Sequence, residues 1–553
     1  MNTLSQASAL ARHRIAAEQV CEYDLVVVGG GITGAGIFHL AASQGLKVLL
    51  VEQKDFAWGT SSRSSKMVHG GLRYLAAGQW RMTRDTARQR EALLAELPGL
   101  VELMPYMMLH RQGDFPSAAL FKRVLSLYDK LAGCDYQKPL TLEKAKTWLT
   151  ELSFDGVTGV NLFADGVTDD ARLVLRLLQD GVLAGGEALN YAKVTGLIES
   201  ESEISGIELE LDGRKHQVDA RCVINATGSW ASQLHPLEKG LLRPLRGSHL
   251  VLPFERLPVS ACITFFHPTD KRPVYIYPWQ GCTVIGTTDL DHDNGIETEP
   301  GISQGEVDYL LQLARHYFPD KGLDEQDVIS CWSGIRPILS SSAETEPSKE
   351  SREHLIWSKP GLISVTGGKL TGFHKMAEEV LESIKAQFPA MMKQIKQAEF
   401  SRPAKGYADK RLSGYFGHFA PRISDMENSC EIGFSRCQWR ELEWSLTHES
   451  VVHLDDLLLR RTRLGLLLGD GIIRYRERLL DLCRQSLNWS ESMAEQEWLR
   501  YVQIFSKYYS LPNPDRPASA YSQSSAYSQS RADSQSTTGS IQNTDGLLST
   551  DSL

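Results

Sequence analysis

Gly29, Gly31 and Gly34 stand in the spacing G-x-G-x-x-G directly after the apolar run Tyr23-Asp24-Leu25-Val26-Val27-Val28. That spacing handles phosphate without using a side chain. The first glycine makes a tight turn, the second admits a pyrophosphate to the backbone, and the third lets a helix close on the strand. The helix start offers unpaired N–H groups and the positive end of its dipole to the anion. Glu52 ends a second apolar strand, Lys47-Val48-Leu49-Leu50-Val51, at the spacing where a carboxylate accepts from a ribose diol. The start of the chain therefore reads as a dinucleotide site, with an incidental glycine loop as the competing reading. Glu52 suits NAD as well as FAD.

The elements that must position such a site follow from pattern. The spacing predicts helices over about Trp80 to Ala95, Ser117 to Leu131 and Lys369 to Phe388, and buried strands at Arg221 to Ala226 and Leu362 to Thr366. From Leu245 to Asp289, short β-branched and aromatic runs broken by Pro and Gly predict an antiparallel sheet. A nucleotide-binding half, an antiparallel middle and a return to the first sheet give an interleaved α/β plus β fold. The expected division is an N-terminal amphipathic segment at 1–20, the interleaved body at 21–390, a helical domain at 391–511 and a Ser/Gln-rich tail at 512–553. That tail repeats Ser519-Ala520-Tyr521-Ser522-Gln523-Ser524 and is too poor in apolar residues to offset ordering entropy, so it is expected to be disordered. The three arginines of Arg460-Arg461-Thr462-Arg463 read as a solvated helix face rather than a ligand site.

Composition narrows the function classes. With 553 residues, 42% hydrophobic and 23% charged, the chain is ordinary globular material of two or three domains. A formal net charge of -9 argues against a nucleic-acid binder. Nine scattered cysteines without a C-x-x-C pair argue against structural zinc, an iron–sulfur cluster or a disulfide framework, and fit a reduced, cytoplasmic setting. No metal site is expected. No apolar run has spanning length, and Arg12-His13-Arg14 is not followed by a secretory core segment.

Further motifs carry a specific resemblance. Gly59-Thr60-Ser61-Ser62-Arg63-Ser64-Ser65-Lys66 is followed by His69-Gly70-Gly71-Leu72-Arg73-Tyr74-Leu75. Beyond these stand Ile224-Asn225-Ala226-Thr227-Gly228-Ser229-Trp230, Arg246-Gly247-Ser248-His249, Ile285-Gly286-Thr287-Thr288-Asp289, Ser333-Gly334-Ile335-Arg336-Pro337, Ser351-Arg352-Glu353-His354 and Gly367-Gly368-Lys369-Leu370-Thr371. Over about Tyr23 to Leu511 the chain resembles the FAD-dependent glycerol-3-phosphate dehydrogenases, flavoproteins of the D-amino-acid-oxidase-like type.

The resemblance implies FAD, and the glycine turn with Glu52, without a His or Cys in an obvious flavinylation context, predicts that it is held non-covalently, with His69 beside Gly70-Gly71 the histidine to check for a covalent link. The resemblance implies cofactor contacts at Gly29, Gly31, Gly34, Glu52, Thr60, Ser61, Ser62, Ser65, Gly71, Leu72, Thr227, Gly228, Gly368, Lys369, Leu370 and Thr371. Arg73, Tyr74 and Arg352 are expected to bind substrate. His249, Arg336 and Lys369 are expected to be catalytic: His249 as a general base near neutral pH and Arg336 beside the reacting hydroxyl. Four cations suit the near-double charge of a phosphate monoester, each charge-assisted hydrogen bond being worth ~1.5–3 kcal/mol. The implied reaction oxidises glycerol 3-phosphate and passes electrons to membrane quinone, with the protein held peripherally on the inner face of the membrane and room for a homodimer. A related oxidase using oxygen, a dehydrogenase of another 2-hydroxy compound and a turnover-dead binding protein are the alternatives. The uninterrupted segment Asp289 to Trp332 argues against the oxidase, and the retained cations argue against the dead relative. Gly372-Phe373-His374 departs from the family's usual Thr-Tyr-Arg. Helix Ser117 to Leu131, with Leu120, Phe121, Val124, Leu125, Leu127, Tyr128 and Leu131 at helical spacing among Lys122, Arg123 and Lys130, reads equally as a membrane contact or as a core-packed surface helix.

Overall fold

The apolar run that ends at the glycine turn forms the strand Glu22–Val28, buried on both faces at the centre of an eight-stranded sheet. The protein is described here from a computed structural model, which covers residues 2–18, 22–76, 78–113, 115–237, 241–340 and 353–512, apart from the side chains of Arg73, Ala76 and Leu241. Glu22–Val28 pairs in parallel with Val48–Val51 on one side and Arg214–Asn225 on the other. Glu187–Leu189 and Leu362–Gly367 extend the sheet in parallel at its two sides. Parallel strands need both faces covered, which explains their near-continuous apolar runs. The helices Ile32–Ser43, Asp170–Leu183 and Phe373–Gln387 pack together and share a core with this sheet. Ile32–Ser43 is apolar on nearly every side because it is buried between neighbours.

The second sheet has nine strands. Leu241–Pro253 pairs antiparallel with Ser330–Ser340 and Cys282–Gly286, and Pro273–Trp279 follows as the next neighbour. Cys262–Phe266 then runs parallel to Val101–Arg111, which pairs antiparallel with Val157–Thr168. The last two long strands lie outside the Leu245–Asp289 stretch that pattern marked. Their runs Leu103-Met104-Pro105-Tyr106-Met107-Met108 and Phe163-Ala164-Asp165-Gly166 lack clean alternation.

Several elements correct the sequence expectations. Helix Lys369 to Phe388 begins as a tight turn at Leu370–Gly372 and becomes α-helical over Phe373–Gln387, because Lys369 is held extended at the turn. Phe373 and His374 face inward, with Phe373 fully buried and His374 tilted against Phe400 at 5.9 Å. The departing triplet thus serves the core of the first sheet. The predicted amphipathic helix appears as Ala118–Ala132. Its stripe is split: Leu125 and Tyr128 are buried, whereas Leu120 and Leu127 are exposed beside Lys122, Arg123 and Lys130. The N-terminal helix Leu4–Ala16 packs Leu4, Ala7, Ala11 and Ile15 inward. No described helix is long and apolar enough to cross a membrane. The tail after Pro512 lies outside the described residues.

Candidate active site

A cavity of about 1550 Å³ runs from the glycine turn to the wall of the second sheet. At its nucleotide end Gly29 has φ +115°, and a Cβ there would meet the Ala226 carbonyl at 2.5 Å. A Cβ on Gly34 would lie 1.9 Å from the Gly29 oxygen, so helix Ile32–Ser43 can seat only on glycine. Gly31 caps that helix with no side chain in the way, and the Ile32 N–H donates to Ser61 Oγ at 2.9 Å. Glu52 accepts from the Gly30 N–H at 2.7 Å and the Lys54 N–H at 2.9 Å, while burial holds its carboxyl above the ordinary value. Ser229 Oγ and Trp230 Nε1 are buried without a hydrogen-bond partner among the described residues, and both residues line the cavity. A side-chain-free turn, a carboxylate beyond it and unsatisfied polar groups on the wall fit a bound dinucleotide.

Most predicted cofactor residues line this cavity: Gly29, Gly31, Glu52, Thr60, Ser61, Ser65, Gly71, Leu72, Thr227, Gly228, Gly368, Lys369, Leu370 and Thr371. Gly34 and Ser62 stand behind it. Gly34 sits against the turn, and Ser62 offers its carbonyl oxygen to Lys66 Nζ at 2.6 Å.

At the other end Arg336 and Lys369 face the same space. Arg336 rises from Ser330–Ser340, where Nη1 donates to Asp289 at 3.0 Å and Nη2 to Thr287 Oγ1 at 3.0 Å. Lys369 Nζ lies 3.6 Å over the ring of Tyr74. The Arg73 side chain and the whole of Arg352 lie outside the described residues.

His249 departs from its expected place. It sits on strand Leu241–Pro253, is 1% exposed, and stacks on Trp332 with ring centres 4.7 Å apart. Ser65 stands between it and the cavity, 2.9 Å from Nε2. Burial, with Arg336 and Lys66 nearby, holds its imidazole well below the usual value, so the ring is neutral. Among the described residues, the histidine that lines the cavity is His69. Its Nδ1 is 3.3 Å from Asp165, whose other oxygen accepts from Arg90 Nη1 at 2.8 Å and from the Gly70 N–H at 2.9 Å. Burial opposes ionisation of Asp165, but the hydrogen bond with His69 and the charge of Arg90 outweigh it and hold the carboxyl below its ordinary value. An anionic Asp165 keeps the Nδ1 proton of His69 and leaves Nε2 as the basic nitrogen. Sequence reasoning missed this pair because Asp165 lies nearly a hundred residues away on an unassigned strand. The signal available was His69 itself, next to the paired glycines.

The largest correction concerns Arg460, Arg461 and Arg463, which are buried. Asp456–Arg461 forms one widened π-helical turn, and Arg463 adopts φ +60°. Arg461 spans both oxygens of Asp55 at 2.6 and 2.8 Å, and Arg460 reaches Asp55, Asp455 and Asp456. Arg463 pairs with Asp169 and Asp170, and its Nη1 donates to the Ser62 carbonyl at 3.2 Å. Lys66 joins at Asp170, 2.8 Å away. Buried charges are tolerated only when paired and hydrogen-bonded, and here each guanidinium reaches at least one carboxylate more than two hundred residues distant in sequence, Arg460 pairing also with its near neighbours Asp455 and Asp456. A charge run read from sequence alone gives no sign of such partners.

The fold and cavity define a flavoprotein oxidoreductase. Residues 24–377 match the family described as FAD dependent oxidoreductase, and residues 369–494 match the C-terminal domain of alpha-glycerophosphate oxidase. The chain belongs to the FAD-dependent oxidoreductase family, and within it to the FAD-dependent glycerol-3-phosphate dehydrogenases. It is 31% identical over 528 residues to the aerobic glycerol-3-phosphate dehydrogenase of Staphylococcus haemolyticus, covering 87% of this chain and 94% of that one. With the enzyme of the same name from Bacillus subtilis it shares 36% over 393 residues, covering 69% and 70%. The crystal structure of the glycerol-3-phosphate dehydrogenase from Bacillus halodurans complexed with FAD superposes with a TM-score of 0.72 at 26% identity, over 90% of this chain and 97% of that one.

Proposed function

We propose that this chain oxidises sn-glycerol 3-phosphate to dihydroxyacetone phosphate and passes the electrons to a membrane quinone while held peripherally on the inner face of the membrane. The observation that carries the reading is the meeting of Arg336, Lys369 and the His69–Asp165 pair around the cavity that begins at the glycine turn. The relatives named for the same substrate support it.

Bound FAD supplies the hydride acceptor. Gly29, Gly31 and Glu52 hold its nucleotide part, and Thr60, Ser61, Ser65, Thr227, Gly368, Leu370 and Thr371 line its path. Arg336 and Lys369 bind the anionic substrate, and Arg73, Tyr74 and Arg352 are the further residues that the family resemblance assigns to its phosphate. Asp289 and Thr287 fix Arg336 beforehand, so its charge costs little reorganisation when negative charge builds on the alcohol oxygen. His69 takes the hydroxyl proton on Nε2 as the carbon-bound hydrogen leaves with its electron pair, and a ketone remains. His249, neutral and stacked on Trp332, positions Ser65 rather than taking the proton.

Anaerobic mixing with glycerol 3-phosphate should bleach the flavin absorbance in one turnover, while glycerol, lactate and 2-hydroxyglutarate leave it unchanged. Bleaching by lactate or 2-hydroxyglutarate, without bleaching by glycerol 3-phosphate, would overturn the assignment.

A further inference from the structure

The Asp165 carboxylate is shared by two cationic partners of different kinds. His69 meets Oδ2 through Nδ1 at 3.3 Å and is a cation only while both its ring nitrogens hold a proton. Arg90 donates to Oδ1 at 2.8 Å and is a cation at every working pH. It comes from helix Trp80–Glu96 and is fully buried.

The local structure is arranged around this guanidinium. Nη1 also donates to Tyr128 Oη at 3.1 Å, and that hydroxyl donates to Asp165 Oδ2 at 3.4 Å. Nε donates to Glu91 at 2.8 Å, and Tyr136 Oη donates to the same carboxylate at 2.7 Å. The residue after His69 is glycine because these groups press on its backbone: a Cβ on Gly70 would stand 2.1 Å from Tyr128 Oη and 2.9 Å from Arg90 Nη1. Tyr128 belongs to helix Ala118–Ala132, whose Phe121 and Val124 line the cavity. Two helices therefore hold the carboxylate from behind, while His69 faces the cavity.

Sharing has an electrostatic consequence. A buried carboxylate beside an imidazole favours the imidazolium, and a base that already holds that proton cannot take the one from the alcohol. A permanent cation on the other oxygen offsets part of this attraction. The groups packed around the pair add little charge of their own. Burial raises Tyr106, Tyr128 and Cys262 well above their ordinary values and the Cys134 thiol to about 12, so all four are neutral near pH 7. Tyr275 brings its ring to 5.8 Å from that of His69. Among the described residues, the other charges nearby are the partly exposed Glu91 and, on the cavity wall, Arg336, Lys369 and Asp289.

We infer that Arg90 is a positioning residue for the proton transfer: sharing Asp165 with His69, it keeps Nε2 free of a proton until the alcohol arrives, and it leaves the carboxylate able to steady the imidazolium that then forms. The inference rests on His69 being the group that takes the hydroxyl proton. Its signature is in pH. Without Arg90 the His69–Asp165 pair keeps its extra proton to higher pH, whichever member carries it.

Stopped-flow reduction of the flavin by glycerol 3-phosphate is followed from about pH 5.5 to 9.5 in the parent, Arg90→Gln and Arg90→Lys. In Arg90→Gln the acid limb of the profile should move up by about one pH unit or more, with the alkaline rate within about threefold of the parent. Arg90→Lys should bring the limb most of the way back. A limb left in place, or a rate lowered equally at every pH, would make Arg90 a purely structural cation and overturn the inference. If Arg90→Gln does not hold flavin, Glu91→Gln tests the same field with the opposite sign: Glu91 offsets Arg90, so its loss should move the limb down, and an unmoved limb overturns the inference. A second measurement needs no turnover. The His69 ring resonance is titrated in oxidised holoenzyme carrying isotope-labelled histidine, and is assigned by its absence from His69→Asn. A His69 midpoint that moves with Arg90, while His69→Asn keeps the parental acid limb, would remove His69 as the base and leave its coupling to Arg90 standing. A limb lost in His69→Asn, with a His69 midpoint indifferent to Arg90, would leave the base standing and overturn the inference.

Discussion

Arg463 holds Asp169 at 2.9 Å and the Ser62 carbonyl at 3.2 Å, so one guanidinium from the helical C-terminal region ties the N-terminal cap of helix Asp170–Leu183 to the loop that floors the cofactor cavity. Ser62 faces away from the cavity, yet its neighbours Ser61, Arg63 and Ser64 line it. The loop is set from behind.

Removing that guanidinium takes the ion-pair partner from buried Asp169 and leaves Asp170 with Lys66 alone. Arg463→Met is expected to cost about 3–5 kcal/mol of stability, the usual penalty for breaking a buried pair from one side. Thermal unfolding checks it, and a double variant with Asp169→Asn should lose less than the sum of the two single changes. Full additivity would show that the two groups do not interact.

Arg336→Ala and Lys369→Ala should each lower turnover about a hundredfold or more, because each removes a charge fixed in advance where negative charge develops. The flavin absorbance spectrum should stay intact in both. Near-parental kinetics in either variant would take that residue out of the site.

The two histidines should separate cleanly. His69→Asn is expected to slow flavin reduction by about 10²–10⁴, the range for losing a positioned general base. His249→Asn should act less, through the Ser65 hydroxyl. Stopped-flow reduction rates decide, and the reverse order would return the proton to His249.

Acid should weaken the fold through another pair. Burial lowers the imidazoles of His39 and His374 from 6.5 to about 4, with Arg176 also acting on His39 and His39 on His374. Both are neutral in the folded protein and protonate near 6.5 once unfolded. The unfolded chain therefore binds more protons between those values, and stability falls as pH drops from 6.5 towards 4. Unfolding midpoints across that window should decline in the parent, with a flatter decline in the His39→Leu, His374→Leu double variant.

Lipid binding gives the last check. Reversing Lys122, Arg123 and Lys130 to glutamate should abolish flotation with anionic vesicles and spare reduction of a soluble dye. Undiminished flotation would move the membrane contact elsewhere.

What could be read from the sequence follows the reach of each signal. The glycine turn and Glu52 were legible because adjacent residues shape one backbone feature. Arg336 and Lys369 were legible because each sits in a short motif. His69 with Asp165, and the pairing of Arg460 and Arg461 with Asp55 and of Arg463 with Asp169 and Asp170, were not, because those pairings exist only once distant strands and helices have met. The stripe on Ala118–Ala132 was legible as a period, but not as a division between cavity wall and outer surface. Periodicity reports that a face is apolar and says nothing of what covers it.

The Ser62 carbonyl accepts from Lys66 Nζ on its own loop and from Arg463, 401 residues later. During synthesis the first donor is present at once, and the second only after the ribosome has traversed most of the gene. At about 5–20 residues per second the nascent chain spends roughly 20–80 s with a complete glycine turn and an unfastened floor beneath it. The second fastening of the floor is therefore a late event in the life of each molecule, and a message truncated before residue 463 yields a chain with the fingerprint of a flavoprotein whose Ser62 carbonyl keeps the donor of its own loop alone.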